Sequence, residues 1–122
     1  MAEKLLIVLM NTDPVNSLAI SEAFFQATVA ASMEYEVEIV FTGRAGELAR
    51  KGFAEKSYLQ EGRTQSVYDL MKEAYEAGVK FKACSQAIEA WGDNLIPEID
   101  ETIGSAYLIS EAMADGTVTF TY

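Results

Sequence analysis

Cys84 is the only cysteine in the sequence, and it stands in VKFKACSQAIEAWG, where an alternating run gives way to a helical one. A thiol does chemistry as its thiolate, and helix N-termini and nearby cations are the settings that lower a cysteine pKa. Cys84 immediately precedes a predicted helix that opens with Ser85 and Gln86. The unpaired N–H groups of that first turn, at Gln86 and Ala87, would favour an anionic sulfur. Lys82 shares strand parity with Cys84, and Arg44 follows the preceding strand, so each is a candidate cation. The plainer reading is that Cys84 is a small buried filler. Lys80 and Lys82 would then mark a solvated face or an edge strand.

The rest of the composition narrows the chemistry. With no histidine, Ser-His-Asp and Cys-His mechanisms are excluded, as is zinc held by the usual Cys/His set. A single cysteine excludes an internal disulfide and a C-x-x-C oxidoreductase. It also fits a reducing compartment, so the expected location is the cytoplasm. GRAG, from Gly43 to Gly46, follows a strand but lacks the spacing and the lysine of a phosphate-binding loop. No metal or cofactor is expected. A thiol with no resolving partner in its own chain suits a covalent carrier, and a persulfide, Cys–S–SH, is one such cargo. A net charge of −10 would repel phosphate backbones and anionic lipid, so nucleic acid and membranes are poor partners. A charged protein partner would carry basic patches.

The elements that must position these residues follow from patterning. The 122 residues form one domain, 1–122, with no repeat or linker to divide it. KLLIVLM (Lys4 to Met10) is an uninterrupted apolar run, as in a strand covered on both faces. It is too short to cross a bilayer and is followed by no cleavage site. Asp13 before Pro14 predicts an N-cap, with a helix from there to about Met33. YEVEIVFT (Tyr35 to Thr42) reads as the second strand, and GRAG turns it into a short helix ending near Gly52. FAEKSYLQEGRTQ reads as a long loop and Ser66 to Gly78 as a helix. Val79 to Cys84 is the third strand, followed by the short helix SQAIEAWG and an irregular stretch, DNLIPEIDET. IGSAYLISEAMADG is the last helix and TVTFTY the last strand. This alternation specifies α/β architecture, a mostly parallel sheet with helices on both faces. Ligands in such sheets bind outside the carboxyl ends of the strands. Asn11, Arg44 and Cys84 all fall there.

Two predicted helices carry almost no charge. Between Val15 and Met33 the only charged side chain is Glu22, and between Ile103 and Ala114 it is Glu111. Either Ser, Thr and Gln supply enough polarity, or these faces are covered in an oligomer.

KLLIVLMNTDP leading into SLAISEAFFQATVAAS, then YEVEIVFTGRAGELARKG, GVKFKACSQAIEAWG and IGSAYLISEAMADGTVTFTY, resembles the DsrE/DsrF-like sulfur-relay family, which includes the Tus-type subunits. The resemblance runs over nearly the full length, and the family's cysteine falls on Cys84. It implies a three-layer α/β/α, flavodoxin/Rossmann-like domain with about five strands, assembled into trimers or hexamers. It also implies that Cys84 receives persulfide sulfur from one carrier protein and hands it to another. Some branches have further cysteines that are missing here, and some members lack the cysteine altogether. Three readings stand: a sulfur carrier acting through Cys84, with Asn11, Arg44, Lys82, Ser85 and Gln86 as anion-stabilising candidates; a non-catalytic oligomeric or ligand-binding subunit; and a single-thiol redox sensor.

Overall fold

The computed structural model describes residues 3–58 and 65–122. Five parallel strands make one sheet: β1 (Lys4–Leu9), β2 (Glu36–Phe41), β3 (Lys80–Cys84), β4 (Ile99–Ile103) and β5 (Thr117–Thr121), in the order β4-β3-β2-β1-β5. Four helices connect them: α1 (Ser17–Ser32), α2 (Val67–Glu76), α3 (Ser85–Trp91) and α4 (Ser105–Ala112). The first three crossovers step one strand at a time in one direction. The last returns across the whole sheet to its other edge, and right-handed crossover connections then put α4 on the opposite face. The architecture is three layers, α/β/α.

Strand parity divides the core accordingly. Ile7, Leu9, Ile39, Phe41, Phe81 and Ala83 pack under α1 and α2 in the main hydrophobic cluster. Leu6, Val8, Val40 and Ile103 form a small second cluster with Tyr107, Leu108 and Ala112 of α4. No residue of α4 is fully buried. The β1 and β2 runs are nearly all apolar because both faces are covered.

Several local expectations are corrected. Helix α1 starts at Ser17, capped by Asn16, whose side chain accepts from the Ala19 N–H. Asn caps as well as Asp does and lies nearer the apolar run. Asp13 instead closes a turn by accepting from the Val15 N–H. The stretch read as irregular around Pro97 contains β4, an edge strand whose Asp100 and Glu101 hide any apolar alternation. Ile103 ends that strand instead of opening the last helix. The helix after β2 is a 3₁₀ turn, Gly43–Ala49. The long loop carries a second short 3₁₀ turn, Ala54–Lys56, and Tyr58 bridges to Ser66; the loop's residues 59–64 lie outside the described residues. Strand β3 is interior, between β2 and β4, so Lys82 is neither solvated nor at an edge.

Candidate functional site

Cys84 is the last residue of β3 and the N-cap of α3. It is 2% exposed. Across the sheet it pairs with Ile103, the last residue of β4. From these two adjacent strand ends the chain departs to opposite faces. Helix α3 leaves on the α1 side, where Ala87 packs against Gly46 of the first 3₁₀ turn, whose Ala45, Leu48 and Ala49 belong to the main core. Helix α4 leaves through Gly104 to the other side. Such a divergence opens a crevice at the carboxyl edge of the sheet, the usual ligand position in open α/β folds. Cys84 ends the strand on one side of this point.

Ser85 and Gln86 are exposed and form the first turn of α3, and the N-cap makes no side-chain capping bond. The N–H groups of that turn therefore have no intrahelical acceptor. Gly46 fixes how closely α3 approaches. A Cβ added there would lie 2.7 Å from the Ala87 Cβ, closer than two carbons pack. Gly46→Ala should push α3 outward and lower stability by about 1–3 kcal/mol, read by urea denaturation.

The other candidate residues lie apart from this point. Asn11 follows β1, two strands from β3, hence roughly 10 Å away in the sheet. Its backbone N–H donates to the Tyr122 carbonyl at 2.8 Å. Arg44 is largely exposed over β2 and pairs with Asp13 at 3.1 Å. The Val15 N–H and then Arg44 hold the Asp13 carboxyl below its usual range. Arg44, Asp13, Glu47 and Trp91 border a separate open cleft of about 390 Å³. Trp91 steadies the rim by donating its indole N–H to the Gly43 carbonyl at 3.1 Å.

Lys82 lies two residues before Cys84 on the α4 face, but its ammonium is committed elsewhere. It donates to the Tyr107 hydroxyl, pairs with Glu101 at 2.7 Å and lies 3.4 Å from Glu38. Glu38, 2% exposed, also accepts from Lys4 at 3.1 Å and from Tyr107 at 3.0 Å. Lys4 further pairs with Glu36 and Glu111. Burial alone would lower both lysine pKa values. Bonds to Glu111 and Glu38 at Lys4, and to Glu101 and Tyr107 at Lys82, reverse that and raise them above the ordinary lysine range. The Lys4 bond holds the Glu111 carboxyl low, and desolvation raises the Tyr107 phenol. This network ties β1, β2, β3, β4 and α4 together directly beneath Cys84. It was not foreseen; the one available signal is an acid, Glu38, inside an otherwise apolar buried strand.

Among the described residues no His/Cys/Asp/Glu group is arranged to hold a metal ion, and no helix is long and apolar enough to cross a membrane. None of the curated proteins compared matches the chain. The crystal structure of the YchN protein from E. coli superimposes with a TM-score of 0.70 over 98% of this chain and 100% of that one, at 17% identity. That likeness is one of fold. The DsrE/DsrF-like family model matches residues 4–121, which takes in every strand, the Cys84 junction and the crevice between β3 and β4. The chain belongs to the DsrE/DsrF-like family.

Proposed function

We propose that this protein is a cytoplasmic sulfur carrier that accepts and passes on persulfide sulfur through Cys84. The observation that carries the reading is the position of Cys84, at the start of α3 and opposite Ile103, where the chain parts to the two faces. Membership of a family associated with sulfur relay supports it. The step is a transfer without net oxidation. The Cys84 thiolate attacks the outer sulfur of a donor persulfide, R–S–SH, forming Cys84–S–SH and releasing R–S⁻. A nucleophile on the acceptor then takes that outer sulfur and regenerates the thiolate. The terminal sulfur of the loaded form is anionic near neutral pH. The free N–H groups of the α3 first turn, at Gln86 and Ala87, would hold it. With a net charge of −10, donor and acceptor proteins would dock through basic patches.

The burial of Cys84 favours a second reading, a non-catalytic subunit in which the thiol is core filler. Intact-protein mass spectrometry after incubation with a polysulfide donor separates the two. Added mass of one or more sulfur atoms, removed by reductant and absent in Cys84→Ser, is the result expected of a carrier. Labelling of Cys84 by a thiol reagent should also proceed through local opening, at a rate insensitive to low urea. A thiol that reacts only with global unfolding, on protein that takes up no sulfur, would establish the filler reading instead.

A further inference from the structure

We infer that helix α4 is a gate over Cys84, latched by the Tyr107 hydroxyl, and that the thiol is reached when the first turns of α4 lift from the sheet. The purpose of such a gate rests on the carrier reading; the opening itself concerns only access to the thiol. Phe81 and Ala83 belong to the α1-side core, so Lys82 and Cys84, which alternate with them, face the other side of β3. Lys82 shows that direction, because its ammonium meets Tyr107 of α4. The register agrees, since Cys84 pairs with Ile103, whose side chain lies in the α4-side cluster. Helix α4 starts two residues beyond Ile103, at the Cys84 end of β3. By Tyr107 it has reached Lys82 and Glu38, and by Glu111 it has reached Lys4 at the start of β1. Its first turn therefore crosses β3 on the face to which Cys84 points. With Cys84 only 2% exposed, a reagent or donor must displace part of the fold to meet its sulfur.

α4 is the element displaced at least cost. Helices α1 and α2 carry several wholly buried side chains, whereas α4 carries none. Its Tyr107, Leu108 and Ala112 rest on the small cluster of Leu6, Val8, Val40 and Ile103. Segments with so few buried apolar contacts open well below the global unfolding free energy. The two ends of α4 differ. The Gly116 carbonyl beyond it accepts from the Glu3 and Lys4 N–H groups, and Glu111 is tied to Lys4, so that end is anchored. Gly104, at the other end, is extended and has no neighbour within 4 Å of where a Cβ would stand, which leaves the joint room to turn. What holds this end is the Tyr107 hydroxyl, which donates to Glu38 at 3.0 Å and accepts from Lys82. When it leaves, no buried charge is orphaned. Lys82 keeps Glu101 and Glu38, and Glu38 keeps Lys4, all from the sheet itself.

Because Cys84 is the sole thiol, alkylation by iodoacetamide followed by intact mass reads access to it alone. Tyr107→Phe keeps the ring and removes the latch. Cys84 should then alkylate about tenfold faster, as expected for the loss of a hydrogen bond to charged partners. The α4 amides should exchange faster by the same factor, and those of β1 and β2 at their former rates. Leu108→Ala, which loosens α4 without touching the hydroxyl, should act in the same direction. Tyr68→Phe removes a similar hydroxyl–carboxylate bond, to Glu98 at 2.8 Å, from α2 on the opposite face. It should leave the Cys84 rate unchanged. An unaccelerated Cys84 in either folded α4 variant, or equal acceleration in Tyr68→Phe, overturns the inference. Polysulfide loading of the same samples is read separately. A gate that opens on a thiol taking up no sulfur would sink the carrier reading and leave the gate standing.

Discussion

Glu38→Ala is expected to destabilise the domain by about 3–5 kcal/mol, the cost of removing one partner from a buried ion pair. Glu38 is the hub of the network under α4, with Lys4, Lys82 and Tyr107 all directed at its carboxylate. Both ammonium groups lie beside the same oxygen, Glu38 Oε2, so removing it leaves two cations close together without the anion between them. Lys4 keeps Glu36 and Glu111, and Lys82 keeps Glu101, so the loss should fall toward the lower end of that range. Because α4 has no fully buried residue, the damage should appear there first. Its amides should lose hydrogen-exchange protection while those of β1 and β2 keep theirs.

The same reasoning fixes the control. Charges drawn from water into a dry layer are costly, and replacing a whole buried ionic set with hydrocarbon is often neutral or stabilising. Glu38→Leu combined with Lys82→Met should therefore recover a good part of what Glu38→Ala loses. Urea denaturation of both variants decides the matter. A loss below about 1 kcal/mol for Glu38→Ala would mean that the carboxylate is a bystander and that the Tyr107 and Leu108 packing alone seats α4.

How far the sequence could be read depended on where apolar patterning was complete. β1 and the α1 side of β2 announce themselves because burial on both faces leaves long apolar runs. The Cys84 junction was legible for a related reason, since KFKAC alternates and Ser85 follows at once. β4 was not, because an edge strand with Asp100, Glu101 and Thr102 exposed has little to bury. Without β4 the crevice opposite Ile103 could not be drawn. The role of Lys82 was missed for the same reason, as its partners Glu101 and Tyr107 come from β4 and α4. Asp13 and Arg44 were each visible as single residues, but their pairing needs the loops after β1 and β2 to converge. Pairings between distant segments are properties of topology, and the pattern left strand order open.

Phe81→Ala should be comparably severe, at about 3–5 kcal/mol, the usual cost of emptying a fully buried aromatic site. Phe81, the second residue of β3, is wholly buried. Its ring meets Phe41 edge-on at 5.4 Å, Phe24 at 6.2 Å and Tyr75 at 5.8 Å, and so joins β3 to β2, α1 and α2 at once. It also stands at a break in register. Phe81 pairs with Ile99, but Lys82 pairs with Glu101, so Asp100 bulges out of β4 at this point. That bulge brings Glu101 opposite Lys82 and Ile103 opposite Cys84. The Phe81 ring holds the strand on the buried side while the bulge sets the pairing on the other. Phe81→Leu keeps most of the volume and should cost about 1.5 kcal/mol or less. The two variants then separate packing from register: with Phe81→Ala the cavity should loosen β3 against β4, and Cys84 should react faster with a thiol reagent in the absence of denaturant. Unchanged Cys84 reactivity in a destabilised Phe81→Ala protein would show that the strand ends at the crevice are held by the Lys82–Glu101 pair and the bulge alone.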